Sequence, residues 1–400
     1  MSYTTRIIAV FCLGWAIIYA DRTALFPLLP AISGELGLSA VQAGAIASAY
    51  FLAYISVQPL AGVIGDRLGL KQVLVAMVLL AGLGLAGLAL LARDYAPLIV
   101  LIAIHGAGAG VYYPMAYSIA LYAVPAAKRG LSSAIIGAGM SLGLALGLAA
   151  SGPLYLAVGT WRAPYLVMAV PTLAAALIFW LAVRPIAPRP QSAGGTRKAL
   201  LDPTVLSLNA MTFCSLYGFW SVISWGPTYF QTERGLGLGV AGGYAALVAV
   251  AAIPAALLTG RFSDRIGRRR LALILLPLGA GAIALVAGAG SPEVLMLALV
   301  AYGLTGKLAL DPVSVSWVAD RVSSTRPQAM GAVMGMFSFS GMSSAVVAPL
   351  VAGWIKDSTG SLQGALYLAA GVVLAGMVFA ALAGESRPSD IGQCYIGANC

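Results

Sequence analysis

Apolar residues run in twelve stretches of about 20 or more, with short polar breaks between them: near 7–29, 41–64, 73–92, 97–122, 131–156, 163–183, 204–230, 240–261, 271–289, 293–318, 328–353 and 362–383. Each is long enough to cross the hydrocarbon core of a bilayer as a helix, the element that satisfies its own backbone there. The pattern predicts an all-α membrane protein with twelve transmembrane helices. Within the stretches, Gly139, Gly143 and Gly147 recur at four-residue spacing, which puts them on one helix face and predicts close approach of a neighbour. The longest polar break, residues 184–203, is rich in proline and glycine and reads as a flexible linker. It divides the stretches six and six, predicting bundles over 1–183 and 204–384 and a cytoplasmic tail over 385–400.

Composition strengthens this reading. Sixty per cent of the 400 residues are hydrophobic and 9% are charged, against roughly a quarter charged in soluble domains. The net charge of +10 does not point to nucleic acid, because of where the charge lies. With the N-terminus inside, seventeen of the 23 lysines and arginines fall in inner segments and four in outer loops. This bias predicts that both termini are cytoplasmic. The expected location is a bacterial inner membrane, and the expected state is a monomer. Cys12, Cys214, Cys394 and Cys400 show no metal-ligand spacing and no disulfide framework. No cofactor or metal is expected. The first stretch is too long and too charged for a cleaved signal peptide.

The two halves repeat. Gly62-Val-Ile-Gly-Asp66-Arg67-Leu-Gly69-Leu-Lys71 follows the second stretch, and Gly260-Arg-Phe-Ser-Asp264-Arg265-Ile-Gly267-Arg-Arg269 follows the eighth, 198 residues later. An internal repeat of this kind is an architectural signal. The glycines allow a tight turn. The aspartate can accept from helix N-terminal amides, and the basic residues can meet carbonyls at a facing helix end, which would make a breakable cytoplasmic gate.

These loops resemble the signature G-x-x-x-D-R-x-G-x-K/R of the major facilitator superfamily, and the resemblance covers nearly the whole chain. It implies two pseudo-symmetric six-helix bundles working by alternating access around a midplane site. Tyr19-Ala-Asp21-Arg22-Thr-Ala-Leu25, Tyr54-x-x-x-Gln58-Pro59-x-x-Gly62 and Trp225-Gly-Pro227-Thr-Tyr-Phe230 resemble the anion:cation symporter branch, which carries organic acids. By that resemblance Arg22 binds the substrate carboxylate, and Tyr54 and Gln58 face the cavity. The chain departs from the branch in span four, where it has Ala109 in place of an acidic residue and no arginine.

The residues point the same way on their own. A charge deep in a span costs roughly 2.5–3.5 kcal/mol on insertion scales and usually marks a substrate or ion path. Arg22 is therefore expected to hold an anion, and Asp21 to carry a proton, since an unpaired buried carboxyl favours its neutral form. His105 is a second proton candidate, its ordinary value near 6.5 lying in the physiological range, although a lone histidine on an apolar helix also serves as a packing residue. Lys307 and Asp311, at i and i+4, form either an inert internal pair or a switchable one. In the switchable case Lys307 is a second cation for the substrate and Asp311 its fallback partner and a proton site. Tyr113, Tyr217 and Ser338 are further substrate-facing candidates.

The chain has no phosphate-binding glycine loop, no metal cluster and no catalytic triad, so an enzyme is not expected. The reading is a secondary transporter of a small organic anion, coupled to protons. The alternatives are a proton-driven exporter, an anion exchanger or uniporter, and a non-transporting sensor. The implied partners are the anion, protons and the lipid bilayer.

Overall fold

The computed structural model describes residues 2–125, 129–185, 196–326 and 329–384. The described residues form sixteen helices: α1 (Tyr3–Thr23), α2 (Leu25–Leu36), α3 (Ala40–Leu68), α4 (Leu70–Leu91), α5 (Tyr95–Gly110), α6 (Tyr112–Ala123), α7 (Arg129–Val158), α8 (Arg162–Ala182), α9 (Thr196–Leu200), α10 (Pro203–Thr232), α11 (Leu238–Ile266), α12 (Arg268–Gly288), α13 (Pro292–Thr305), α14 (Lys307–Thr325), α15 (Met330–Thr359) and α16 (Gln363–Leu382). Among the described residues, twelve helical segments are long and apolar enough to cross a membrane. The tail 385–400 and residues 186–195 of the 184–203 linker lie outside the described residues.

Three of the twelve segments are two helices end to end. Between α1 and α2, Ala24 keeps helical dihedrals (φ −58°, ψ −26°), as does Val111 between α5 and α6 (φ −80°, ψ −19°). In both cases a proline, Pro27 or Pro114, stands four residues after the last residue of the first helix, where it has no N–H to donate back. Gly306, between α13 and α14, is different. Its backbone is extended (φ −79°, ψ −159°), so the helix is interrupted immediately before Lys307.

The chain falls into two compact units. The first holds residues 1–190, 220–250 and 345–366, and the second holds 191–219, 251–344 and 367–400. In the first unit the glycine face of α7 lies directly on the α1 backbone. A Cβ on Gly139, Gly143 or Gly147 would strike the carbonyl oxygen of Cys12, Ala16 or Ala20 respectively. The four-residue spacing thus seats one helix against every turn of the other. Gly106 and Gly110 of α5 meet the Tyr50 and Tyr54 carbonyls in the same way, which fixes the α3 turn carrying those tyrosines.

The 345–359 end of α15 closes on α3. The Ser48 hydroxyl donates to the Val346 carbonyl at 2.6 Å, and Gly44 leaves room for the Pro349 carbonyl. At the end of the seam, the Asp357 carboxylate accepts from the Ala40 and Val41 amides at 2.8 and 2.9 Å, capping α3. Nearby, Glu233 accepts from Lys356 Nζ at 2.7 Å, the Ser361 hydroxyl at 2.6 Å and the Leu362 amide at 2.8 Å. Burial alone would raise this carboxyl, but those three donors outweigh it and hold it below the usual carboxylate range. The resulting stabilisation is complete above the unfolded value of about 4.3 and is lost as pH falls through the lower folded value. A melting-temperature series in detergent should therefore drop below about pH 4, and Glu233→Gln should flatten that part of the drop.

In the second unit the loop between α11 and α12 is held by charge. Arg268 meets Asp264 at 2.8 Å and Asp320 at 3.0 Å, and Arg269 donates to the Ala381 carbonyl at the end of α16 at 2.6 Å. Asp264 thus pairs with a side chain one turn on rather than with helix amides. Arg265 is exposed. In the matching loop of the first unit, Gly62 and Asp66 lie on α3, but the Asp66 side chain is outside the described residues. Arg67 is exposed and the Lys71 amine sits 4.6 Å from the Trp180 ring centroid. Gly69 and Gly267 both have φ +94°, a region that favours glycine.

Candidate functional site

The last turn of α1 carries Asp21 and Arg22 into the first unit, both buried. Arg22 Nε donates to the Tyr50 hydroxyl at 3.2 Å. The guanidinium carbon lies 4.2 Å from the Tyr19 ring centroid, 4.6 Å from Tyr54, 5.5 Å from Tyr50 and 5.6 Å from Phe51. Residues 19 and 22 share a face of α1, and residues 50 and 54 share a face of α3, so each helix presents its tyrosines on one side and the meeting of the two completes the aromatic surround. Cation–π contacts of this kind contribute about 0.5–2 kcal/mol each. They do not replace hydrogen bonds, and both terminal nitrogens of Arg22 are buried without a well-aligned partner.

Asp21 does not supply one. No ion pair within 4.0 Å joins the two residues among the described ion pairs. Instead Asp21 Oδ2 meets the Thr172 hydroxyl of α8 at 2.6 Å, and Oδ1 has no partner. Gln58 lies beside Tyr54 on α3. His105 of α5 directs Nδ1 at the Ala81 carbonyl, 3.1 Å away. Its ring is 5.2 Å from that of Tyr50, and Nε2 has no partner. The first unit therefore brings Asp21, Arg22, Tyr54, Gln58 and His105 into one neighbourhood. Tyr113 is 42% exposed and packs on Trp15 and Tyr117, not on Arg22.

In the second unit Lys307 opens α14, and its amine meets Asp311 at 2.6 Å. A lysine at a helix N-terminus opposes the helix dipole, and the carboxylate one turn on offsets this. Lys307, but not Asp311, lines a small cleft at the Gly306 interruption, together with Ser215, Gly279, Tyr302, Thr305 and Leu310. Tyr217 and Ser338 do not line it. Tyr217 is buried on α10 near Phe213, and Ser338 is half-buried on α15.

Sequence reasoning missed Tyr19, Tyr50 and Phe51 as neighbours of Arg22, although the i, i+3 and i, i+4 spacings could have found the two tyrosines. It also missed Thr172, a lone hydroxyl in an apolar helix. Among the described residues no His, Cys, Asp or Glu group could hold a metal ion.

The arrangement offers a buried positive fork that forms no ion pair within 4.0 Å among the described residues. The profile of the Major Facilitator Superfamily matches residues 11–280 and 245–393. A "Probable sulfoacetate transporter" of Cupriavidus necator is 26% identical, covering 89% of this chain and 88% of its own length. A "Hexuronate transporter" of Bacillus subtilis is 26% identical, covering 94% and 93%. Among solved structures, a bacterial homolog of the human lysosomal transporter Spinster, inward-facing and unoccupied, superposes with a TM-score of 0.76 at 17% identity over 96% of both chains.

Proposed function

This chain belongs to the Major Facilitator Superfamily, a multi-pass membrane transporter and not an enzyme, and we propose that it moves a small organic anion by alternating access, in symport with protons. The observation that carries the reading is the Arg22 guanidinium, buried among four aromatic rings, with no well-aligned hydrogen bond at either terminal nitrogen. A planar carboxylate matches that fork with two parallel hydrogen bonds. The names of the sulfoacetate and hexuronate relatives, both acids, support the substrate class.

Tyr54 and Gln58 shape the same site, and Tyr113, Tyr217 and Ser338 are secondary contacts in this reading. Asp21 carries the proton, with His105 and Asp311 as further proton sites. Lys307 is a second cation that exchanges Asp311 for the far end of the substrate. The 1–183 and 204–384 bundles are the moving halves, and the repeated loops at Gly62–Lys71 and Gly260–Arg269 gate them. The protein works as a monomer in a bacterial inner membrane with both termini cytoplasmic, as the distribution of lysine and arginine supports.

Uptake of labelled organic acids into proteoliposomes tests the reading. An inward proton gradient should drive accumulation above equilibrium, and collapsing it should abolish that accumulation. Saturable uptake indifferent to the gradient would indicate an exchanger or uniporter. Binding without flux would indicate a sensor. In the same assay Lys307→Met should weaken a dianion by about tenfold or more, since a hydrogen bond to a charged group contributes roughly 1.5–3 kcal/mol, and should spare a monoanion. Equal losses would mark the Lys307–Asp311 pair as structural.

A further inference from the structure

We propose that Thr172 is a positioning residue for Asp21, its hydroxyl accepting a hydrogen bond from the O–H of the neutral acid and turning to donate to the carboxylate once the acid's proton leaves. The inference rests on the reading of Asp21 as proton carrier. It follows from counting hydrogens.

Thr172 Oγ1 lies 2.6 Å from Asp21 Oδ2 and 2.9 Å from the Met168 carbonyl. A threonine hydroxyl carries one hydrogen, and a carbonyl can only accept. The bond to the carbonyl four residues back is the usual one for a threonine inside a helix. If the hydroxyl hydrogen is on Met168, the short contact to Asp21 has a hydrogen only when Oδ2 itself is protonated. The network then closes as Asp21 Oδ2–H to Thr172 Oγ1, and Thr172 O–H to Met168. When the acid ionises, its proton passes to water, Oδ2 keeps the electron pair, and the Thr172 hydroxyl rotates from Met168 to Oδ2. The Met168 carbonyl stays within the α8 ladder throughout. Each state of the acid thus has one hydroxyl partner, and the switch needs one torsion.

The packing isolates this contact. Thr172 and Asp21 are both buried. The charged and titratable groups that face Asp21 are Arg22 from its own helix and Tyr50 from α3. α7 brings Tyr155 only near its end, α8 brings Tyr165 two turns from Thr172 and Arg162 at its start, and α6 brings Tyr112, Tyr113 and Tyr117.

Infrared difference spectra of the purified protein at neutral pH, with Asp21→Asn as the reference, test the proposal without any transport step. The expected result is a carboxylic-acid C=O band absent from Asp21→Asn, moved to higher frequency in Thr172→Val and unmoved in Thr172→Ser. No such band, or a band that stays in place in Thr172→Val, overturns the inference. Uptake read against pH gives the second readout. A hydrogen bond to an ionised group is roughly twice as strong as a neutral one, so losing the hydroxyl penalises the carboxylate more. The midpoint in Thr172→Val should move up by about one pH unit, a tenfold change, with Thr172→Ser as wild type; an unmoved midpoint also overturns it. If the band and its shift are found in a protein whose uptake ignores the proton gradient, the symport reading fails and the role of Thr172 stands.

Discussion

Arg22→Met should abolish uptake of organic anions without lowering the melting temperature of the empty protein. The first half follows from charge. Truncating one partner of a buried, hydrogen-bonded charge pair costs about 2–5 kcal/mol, or about 30- to several-thousand-fold in affinity. The second half separates a binding role from a structural one. A buried charge with no counter-ion is a burden to the fold, and an apolar residue of similar volume is neutral or better. What Met removes is one 3.2 Å bond to Tyr50 and the ring contacts. Arg22→Lys should fall between, because an ammonium keeps the charge but not the planar fork. Wild-type uptake in Arg22→Met would end the proposal. A melting temperature several degrees lower would show that Arg22 is there to hold the helices.

Gly242→Leu should cut uptake at least tenfold, whereas Gly243→Ala, at the next residue, should behave as wild type. A Cβ on Gly242 would fall on the Leu148 carbonyl oxygen of α7, and a Cβ on Gly243 meets nothing within 4 Å. Overpacking of this kind costs typically 1–3 kcal/mol. It falls on the contact of α11 with α7, not on the α1–α7 face, so the protein should still purify as a folded species with a lower melting temperature. Parallel uptake and thermal scans on the two variants check both statements. Equal behaviour would mean that the helices do not approach there as described.

The spans and the close approach along the α7 glycine face were legible in the sequence because both depend on one-dimensional regularities: runs of apolar residues and glycines four apart; that α1 is the helix that approaches was not. Arg22 was legible for a related reason, as a charge where charges are costly. Its surroundings were less so. Tyr19, Tyr50 and Phe51 read as ordinary aromatic residues in apolar helices, and only the crossing of α1 with α3 gathers them. Thr172 is invisible in the same way, since a hydroxyl in a helix usually serves its own backbone. The interruption at Gly306 was hidden because one glycine in a glycine-rich span carries no signal. Lys307 looked like a mid-helix residue and is in fact the first residue of α14.

The equal torsions at Gly69 and Gly267, φ +94° with ψ 138° and 144°, have a manufacturing consequence. The corner after α3 and the corner after α11 turn through the same kind of glycine. A residue with a side chain would be strained at either position, so a loop exchanged between the two corners has to keep its glycine there.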